Sequence, residues 1–147
     1  MRRSPTPVRF DDTVAHRLSS FAAAHPGLSI SAAANLLVDE GLRMVEHPGI
    51  VFRDGPTGRR AGLAGGPDVW EVMRAIVQAR SSEPSLGERG VLELVEENSG
   101  LSHRSLRTAL DYWARFPDEI DAEIAAANDA ERAAEIAWQR ERHLLAG

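Results

Sequence analysis

The chain opens on an alternation of apolar and other positions. In Pro5-Thr6-Pro7-Val8-Arg9-Phe10, the residues Thr6, Val8 and Phe10 alternate with Pro7 and Arg9, the period of two that marks a short strand. Proline lacks the N–H that a ladder needs, so Pro5 and Pro7 confine this strand to the edge of a ribbon. One isolated strand of this length is not stable, and no second strand follows nearby. The segment therefore needs a mate. Asp11 or Asp12 caps the next element. Val14, Leu18 and Phe21 recur at spacings of four and three, which predicts a helix with one apolar stripe, ended by His25-Pro26-Gly27. Ser29 or Ser31 caps a second helix whose buried face is Ile30, Ala33, Leu37 and Leu42, and His47-Pro48-Gly49 stops it.

The pattern then changes. Ile50-Val51-Phe52 before Asp54-Gly55, with a return through Arg59-Arg60 to Leu63, predicts a short hairpin. Pro67 suits the first turn of a third helix, with Val69, Trp70, Met73, Ile76 and Val77 on its apolar face. Residues 81–87 read as a loop. Two helices with a tight joint follow: Val91, Leu92 and Val95 on the first, a turn at Asn98-Ser99-Gly100-Leu101, and Ser102 capping a second that buries Leu106, Ala109, Leu110 and Trp113. Pro117 starts a long helix to about Leu145, with Ile120, Ile124, Ala127, Ala134, Trp138 and Leu145 at helical spacing. The fold class expected is mainly α, in three parts: 1–47, 48–116 and 117–147.

Charge sharpens this division. The net charge is −5, which by itself argues against nucleic acid, but residues 1–60 hold eight Arg against six Asp/Glu and residues 61–147 hold nine Arg against sixteen. Residues 1–10 carry three arginines and no acid. A basic head and an acidic tail suit a protein that meets phosphate with one end and a protein partner with the other. All seventeen basic residues are arginine, either the mark of a GC-rich genome or a preference for bidentate contact. The absence of cysteine excludes disulfides and thiolate metal sites. No apolar run approaches the ~20 residues of a membrane span, and the N-terminus lacks a secretory pattern, so a cytoplasmic address and no membrane partner are expected.

An N-terminal strand that finds its mate in a second copy forms an antiparallel ribbon over four helices. Val8 and Phe10 then face the helices, and Pro7 and Arg9 face out. Such a ribbon fits the DNA major groove, where one good bidentate arginine–guanine contact is worth about 1–3 kcal/mol of discrimination. Arg9 is either that reader or a solvated strand residue. Ser29 and Ser31 cap a helix whose free N–H groups also suit phosphate. Arg2 and Arg3 add nonspecific attraction. The segments Thr-Pro-Val-Arg-Phe-Asp-Asp (6–12) and Leu-Ser-Ile-Ser-Ala-Ala-Ala-Asn-Leu-Leu-Val-Asp-Glu-Gly-Leu-Arg-Met (28–44) resemble the ribbon-helix-helix family of the CopG/VapB type, over residues 5–45. The resemblance implies a homodimer through the N-terminal strand and operator contact by Arg2, Arg3, Thr6, Pro7, Arg9, Ser29 and Ser31.

A second resemblance covers about 47–124. His-Pro-Gly-Ile-Val-Phe-Arg-Asp-Gly-Pro-Thr-Gly-Arg-Arg-Ala (47–61), Val-Trp-Glu-Val (69–72) and Leu-Ser-His-Arg-Ser-Leu-Arg-Thr-Ala-Leu-Asp-Tyr-Trp (101–113) resemble the helix-turn-helix-like domain-of-unknown-function family 433. Many of its members look like antitoxins of PIN-domain ribonucleases. Residues 91–113 are either a helix-turn-helix that sets Arg104 and Arg107 against DNA or an ordinary helical hairpin with solvated arginines.

The tail (117–147) holds eight acids and three arginines. The VapB resemblance implies a toxin-wrapping segment, with Ile120, Ile124, Trp138, Leu144 and Leu145 as groove anchors and Arg140 or Arg142 plugging an acidic active site. The other reading is a terminal helix packed on its own domain or dimer mate. The five histidines lie on different elements, and Asp118, Glu119, Asp121 and Glu123 sit at a helix start, where acids are favoured for the helix dipole. No enzyme, metal site or cofactor is expected. The reading is a type II antitoxin that binds operator DNA as a homodimer and neutralises a toxin; the alternative is a DNA-binding regulator without a toxin partner.

Overall fold

The structure is a computed structural model and describes residues 4–147. It is mainly helical and divides into two compact units, Met1–Arg43 and Met44–Gly147. The division falls in the last turn of the second helix.

The first unit is built on α1 (Asp12–Ala24) and α2 (Ile30–Glu46). Asp11 occupies the N-cap of α1 in extended backbone. Phe21 stacks on His25 at 4.0 Å as α1 ends, and Gly27, at φ 87°, turns the chain. Ser29 then caps α2 by accepting from the Ala32 N–H at 3.1 Å. Both helices start and stop where the periodicity places them. The strand expected at 5–10 is not formed: residues 4–11 take up neither helix nor strand, and residues 4–10 are exposed. A lone ribbon strand has no ladder partner inside one chain. The buried face expected for α2 is also mostly open. Ala33 is fully buried, whereas Ile30 and Leu42 are more than half exposed.

The second unit has its own core. β1 (Ile50–Gly55) and β2 (Gly58–Leu63) pair antiparallel, with Ile50 opposite Leu63 and Arg53 opposite Arg60. Then come α3 (Val69–Ser82), α4 (Glu88–Ser99), α5 (His103–Arg115) and α6 (Pro117–Leu145). Pro67 does not open α3; it precedes the N-cap Asp68, and its carbonyl accepts from the Leu63 N–H at 2.9 Å. Gly100 closes α4 at φ 74°, and Ser102 caps α5 by accepting from Ser105 N–H. Ile50, Leu63, Val69, Val72, Val95, Leu106 and Ile120 share one core with Tyr112, which is wholly buried. Tyr112 donates to Glu119 at 2.9 Å, which satisfies its hydroxyl. Ile120 has no exposed surface, so the first turns of α6 belong to this core. On α3, Val77 lies outside the buried face, at 57% exposed.

Asp68 ties the hairpin to the helices. It is buried, and it meets Arg53 Nη1 through Oδ1 and Arg60 Nε through Oδ2, each at 2.9 Å. Arg53 also donates to the carbonyls of Leu63 and Gly66. Glu71 accepts from the Asp68 N–H at 2.9 Å, the return half of a capping box. Gly62 leaves room for this: a Cβ there would lie 2.7 Å from Arg53 Nη1. The guanidinium is held by three acceptors and cannot step aside freely. Gly62→Ala and Arg53→Met are each expected to cost about 1–3 kcal/mol by displacing charge from a buried carboxylate. Denaturant unfolding of the second unit checks this.

Candidate functional site

The first unit cannot cover itself. On α1 and α2 only Leu18, Ala33 and Glu40 are buried within it. Val8 is 66% exposed, Val38 56% and Leu42 55%, and Val14, Met44 and Val45 are also open. Phe10, Val14, Leu18, Phe21, Leu37 and Val38 line an apolar groove of about 460 Å³. These residues are the apolar stripes of the two helices together with the inward-facing end of the expected ribbon. The stripes were legible from spacing, and their lack of cover follows from the absence of a second layer in one chain.

The polar residues assigned to DNA lie around the same unit. Thr6, Pro7 and Arg9 are exposed in the uncoiled segment before α1. Ser29 and Ser31 are exposed at the start of α2, where Ser29 serves as the cap and the Ser31 carbonyl accepts from Asn35. Arg2 and Arg3 lie outside the described residues.

In the second unit, α4 and α5 form a helix pair around Gly100. Arg104 and Arg107 are exposed on α5, and Arg107 pairs with Asp111 at 3.1 Å. His103 lies 3.5 Å from Glu96 of α4. The exposed face of α5 therefore carries its arginines among acids, a poor field for phosphate.

The residues assigned to a partner on α6 separate by depth. Ile120 is buried and Ile124 packs on the core, so the first is not available to a partner and the second only in part. Trp138 is 57% exposed, Leu144 80% and Leu145 85%, and Arg140 and Arg142 are open. Arg142 lies over the Trp138 ring at 5.2 Å. Every residue from 128 to 147 is exposed. Ile136, Trp138, Leu144 and Leu145 are the large apolar side chains left open along this stretch.

Sequence reasoning passed over one cluster. Glu123 lies beside Glu119, Asp68 and Arg60, and its Oε2 is buried without a hydrogen-bond partner. Burial, then the charges of Glu119 and Asp68, push its carboxyl up from 4.5 to about 7, against the pull of Arg60. The spacing Asp68-x-x-Glu71 signals the cap, and the Gly55–Gly58 turn sets Arg53 across from Arg60. No periodicity points to Glu123, which looks like any acid near a helix start. Among the described residues no three His, Asp or Glu side chains converge to hold a metal ion, and no helix is long and apolar enough to cross a membrane.

Depth on α6 gives a direct check. Ile120→Ala is expected to cost about 2–5 kcal/mol in chemical unfolding, because it opens a cavity in the core. Trp138→Ala is expected to stay within about 0.5 kcal/mol of wild type in the isolated protein. Scans against protein-family models, curated proteins and solved structures found no match.

Proposed function

We propose that this chain is an antitoxin-type regulator: a homodimer through its N-terminal unit that grips operator DNA, with the exposed part of α6 neutralising a toxin of the PIN-domain ribonuclease kind. The observation that carries the reading is the uncovered apolar surface of the first unit. Two short helices leave Phe10, Val14, Val38 and Leu42 at least partly in water, together with a segment outside helix and strand whose alternation asks for a ladder. A second copy answers both needs at once. Fully burying one such side chain is worth about 1.5–3 kcal/mol. Covering the exposed halves of these residues in two copies supplies on the order of 10 kcal/mol before ordering costs, and the ribbon ladder with the other open side chains, Val8, Met44 and Val45, has to add what a stable dimer needs beyond that.

Pairing of residues 5–10 turns Arg9 outward on both strands of the ribbon. Two guanidiniums then meet a major groove, while the two α2 N-termini, with Ser29 and Ser31, approach flanking phosphates. Arg2 and Arg3 add counterion release. In the second unit six of the twelve arginines pair with acids, which weakens any basic face there. Its contribution to the reading is α6, with Trp138, Leu144 and Leu145 uncovered.

Two measurements test the proposal. In mobility shifts on the protein's own promoter, Arg9→Ala is expected to weaken operator binding by about tenfold or more and to flatten its preference over random DNA. Wild-type affinity and preference in the variant would remove the ribbon from the account. Co-expression with the adjacent gene product is expected to restore growth and give a complex, and Trp138→Ala to weaken that complex. A complex that ignores Trp138, Leu144 and Leu145 would sink the toxin half alone.

A further inference from the structure

Glu123 stands where α6 leaves the core of the second unit. Ile120 is buried one turn before it and Ile124 packs on the core beside it. Beyond Ala127 the helix is exposed. The last side-chain ties to the body are from Arg74 of α3, which reaches Glu131 at 2.7 Å and Asn128 at 3.3 Å.

Glu119, Asp68 and Arg60 act on Glu123, and further charged and polar groups stand on the elements packed at this joint. β2 supplies Arg60, and α6 itself supplies Glu119. Asp68 lies just before α3, with Arg53 of β1 held on it. α3 adds Glu71 and Arg74, and α5 adds Tyr112, which donates to Glu119. The cations have their own tasks: Arg53 and Arg60 on Asp68, Arg74 on Glu131. The guanidiniums of Arg53 and Arg60 thus both lie on Asp68, and Oε2 of Glu123 is buried without a hydrogen-bond partner. A groove of about 320 Å³ runs beside it, walled by Pro56, Thr57, Trp70, Ala126 and Ala130. The helix side of that groove is alanine, which offers little apolar grip.

We propose that Glu123 is a proton-operated latch that seats the 122–131 segment of α6 against the hairpin turn and α3. Protonated, the side chain adds no third negative charge beside Asp68 and Glu119, and the helix lies closed. Ionised, it needs water or distance from those two carboxylates, and the adjoining groove gives it both at the expense of the seam. The direction of the pH effect follows. The seated form holds its proton up to about pH 7, whereas an unseated glutamate ionises near 4.5. Seating therefore weakens as pH rises through that interval and levels off above it. The residue is only partly buried, so the full shift is screened and the expected change in the seating equilibrium is on the order of tenfold. The latch is independent of what α6 binds.

The test uses the full chain without any partner. Carbon-13 titration of the glutamate carboxyls and amide exchange across 122–131, corrected for intrinsic rates, are followed from about pH 5 to about pH 8. The wild type is expected to show one carboxyl titrating near neutrality and a rise in exchange with the same midpoint. Glu123→Gln, which mimics the protonated form, should abolish the titration and leave exchange protected and flat. Glu119→Gln keeps an oxygen for Tyr112 while removing a like charge, and should move both midpoints down together. An exchange step that survives in Glu123→Gln overturns the latch, as does a wild type in which every carboxyl titrates in the ordinary range. Midpoints unmoved by Glu119→Gln contradict the charge arrangement.

Discussion

A stretch of 43 residues that folds into two short helices has too little depth to bury its own apolar side chains. Leu18 and Ala33 find cover; Val14, Val38 and Leu42 do not. The constraint extends to the residues before α1, where an alternating segment has neither a ladder to join nor, with Pro5 and Pro7, the donors for a central strand. The functional reading depends on how this surface is covered. In the proposed dimer a second copy would satisfy the helices and the strand together and carry Arg9 to the outside of the new ribbon.

The second unit is bound by the opposite condition. It has enough chain to close a core around Tyr112 and Ile120, and the polar atoms that enter it are largely answered from within. Asp68 gathers Arg53 and Arg60, Glu71 returns to the Asp68 N–H, and Tyr112 is satisfied by Glu119. Glu123 is less well answered: its Oε2 is buried without a hydrogen-bond partner at the point where α6 leaves the core. Structural stability and availability for binding are thus divided along one helix, with Ile120 on one side of the division and Trp138 on the other.

Much of the fold was legible because it rests on local chemistry. The 4-3 spacing of Val14, Leu18 and Phe21 gives α1, Ser29 and Ser102 cap α2 and α5, and Gly100 breaks the helix pair. The hairpin follows from Ile50-Val51-Phe52 and the return to Leu63. What spacing could not give was depth. Ile30, Leu42 and Val77 sit on apolar stripes yet lie open, while Tyr112 was read as one of a run and proves to be fully buried in the core. Pro67 fits a first helical turn by type, but Asp68 with Glu71 makes the stronger cap and takes the start of α3. Arg53, Arg60, Asp68 and Glu123 were hidden for a different reason. Their meeting is tertiary, across up to 70 residues, and each alone reads as a solvated charge.

The most direct measurement is the molar mass of the full chain in solution at micromolar concentration, by light scattering or sedimentation, beside a Val38→Asp variant. A pairing N-terminal unit gives twice the 16.0 kDa chain mass for wild type, and the buried charge drives the variant to the chain mass. A wild type that runs at the chain mass, or a dimer indifferent to Val38→Asp, would contradict the account.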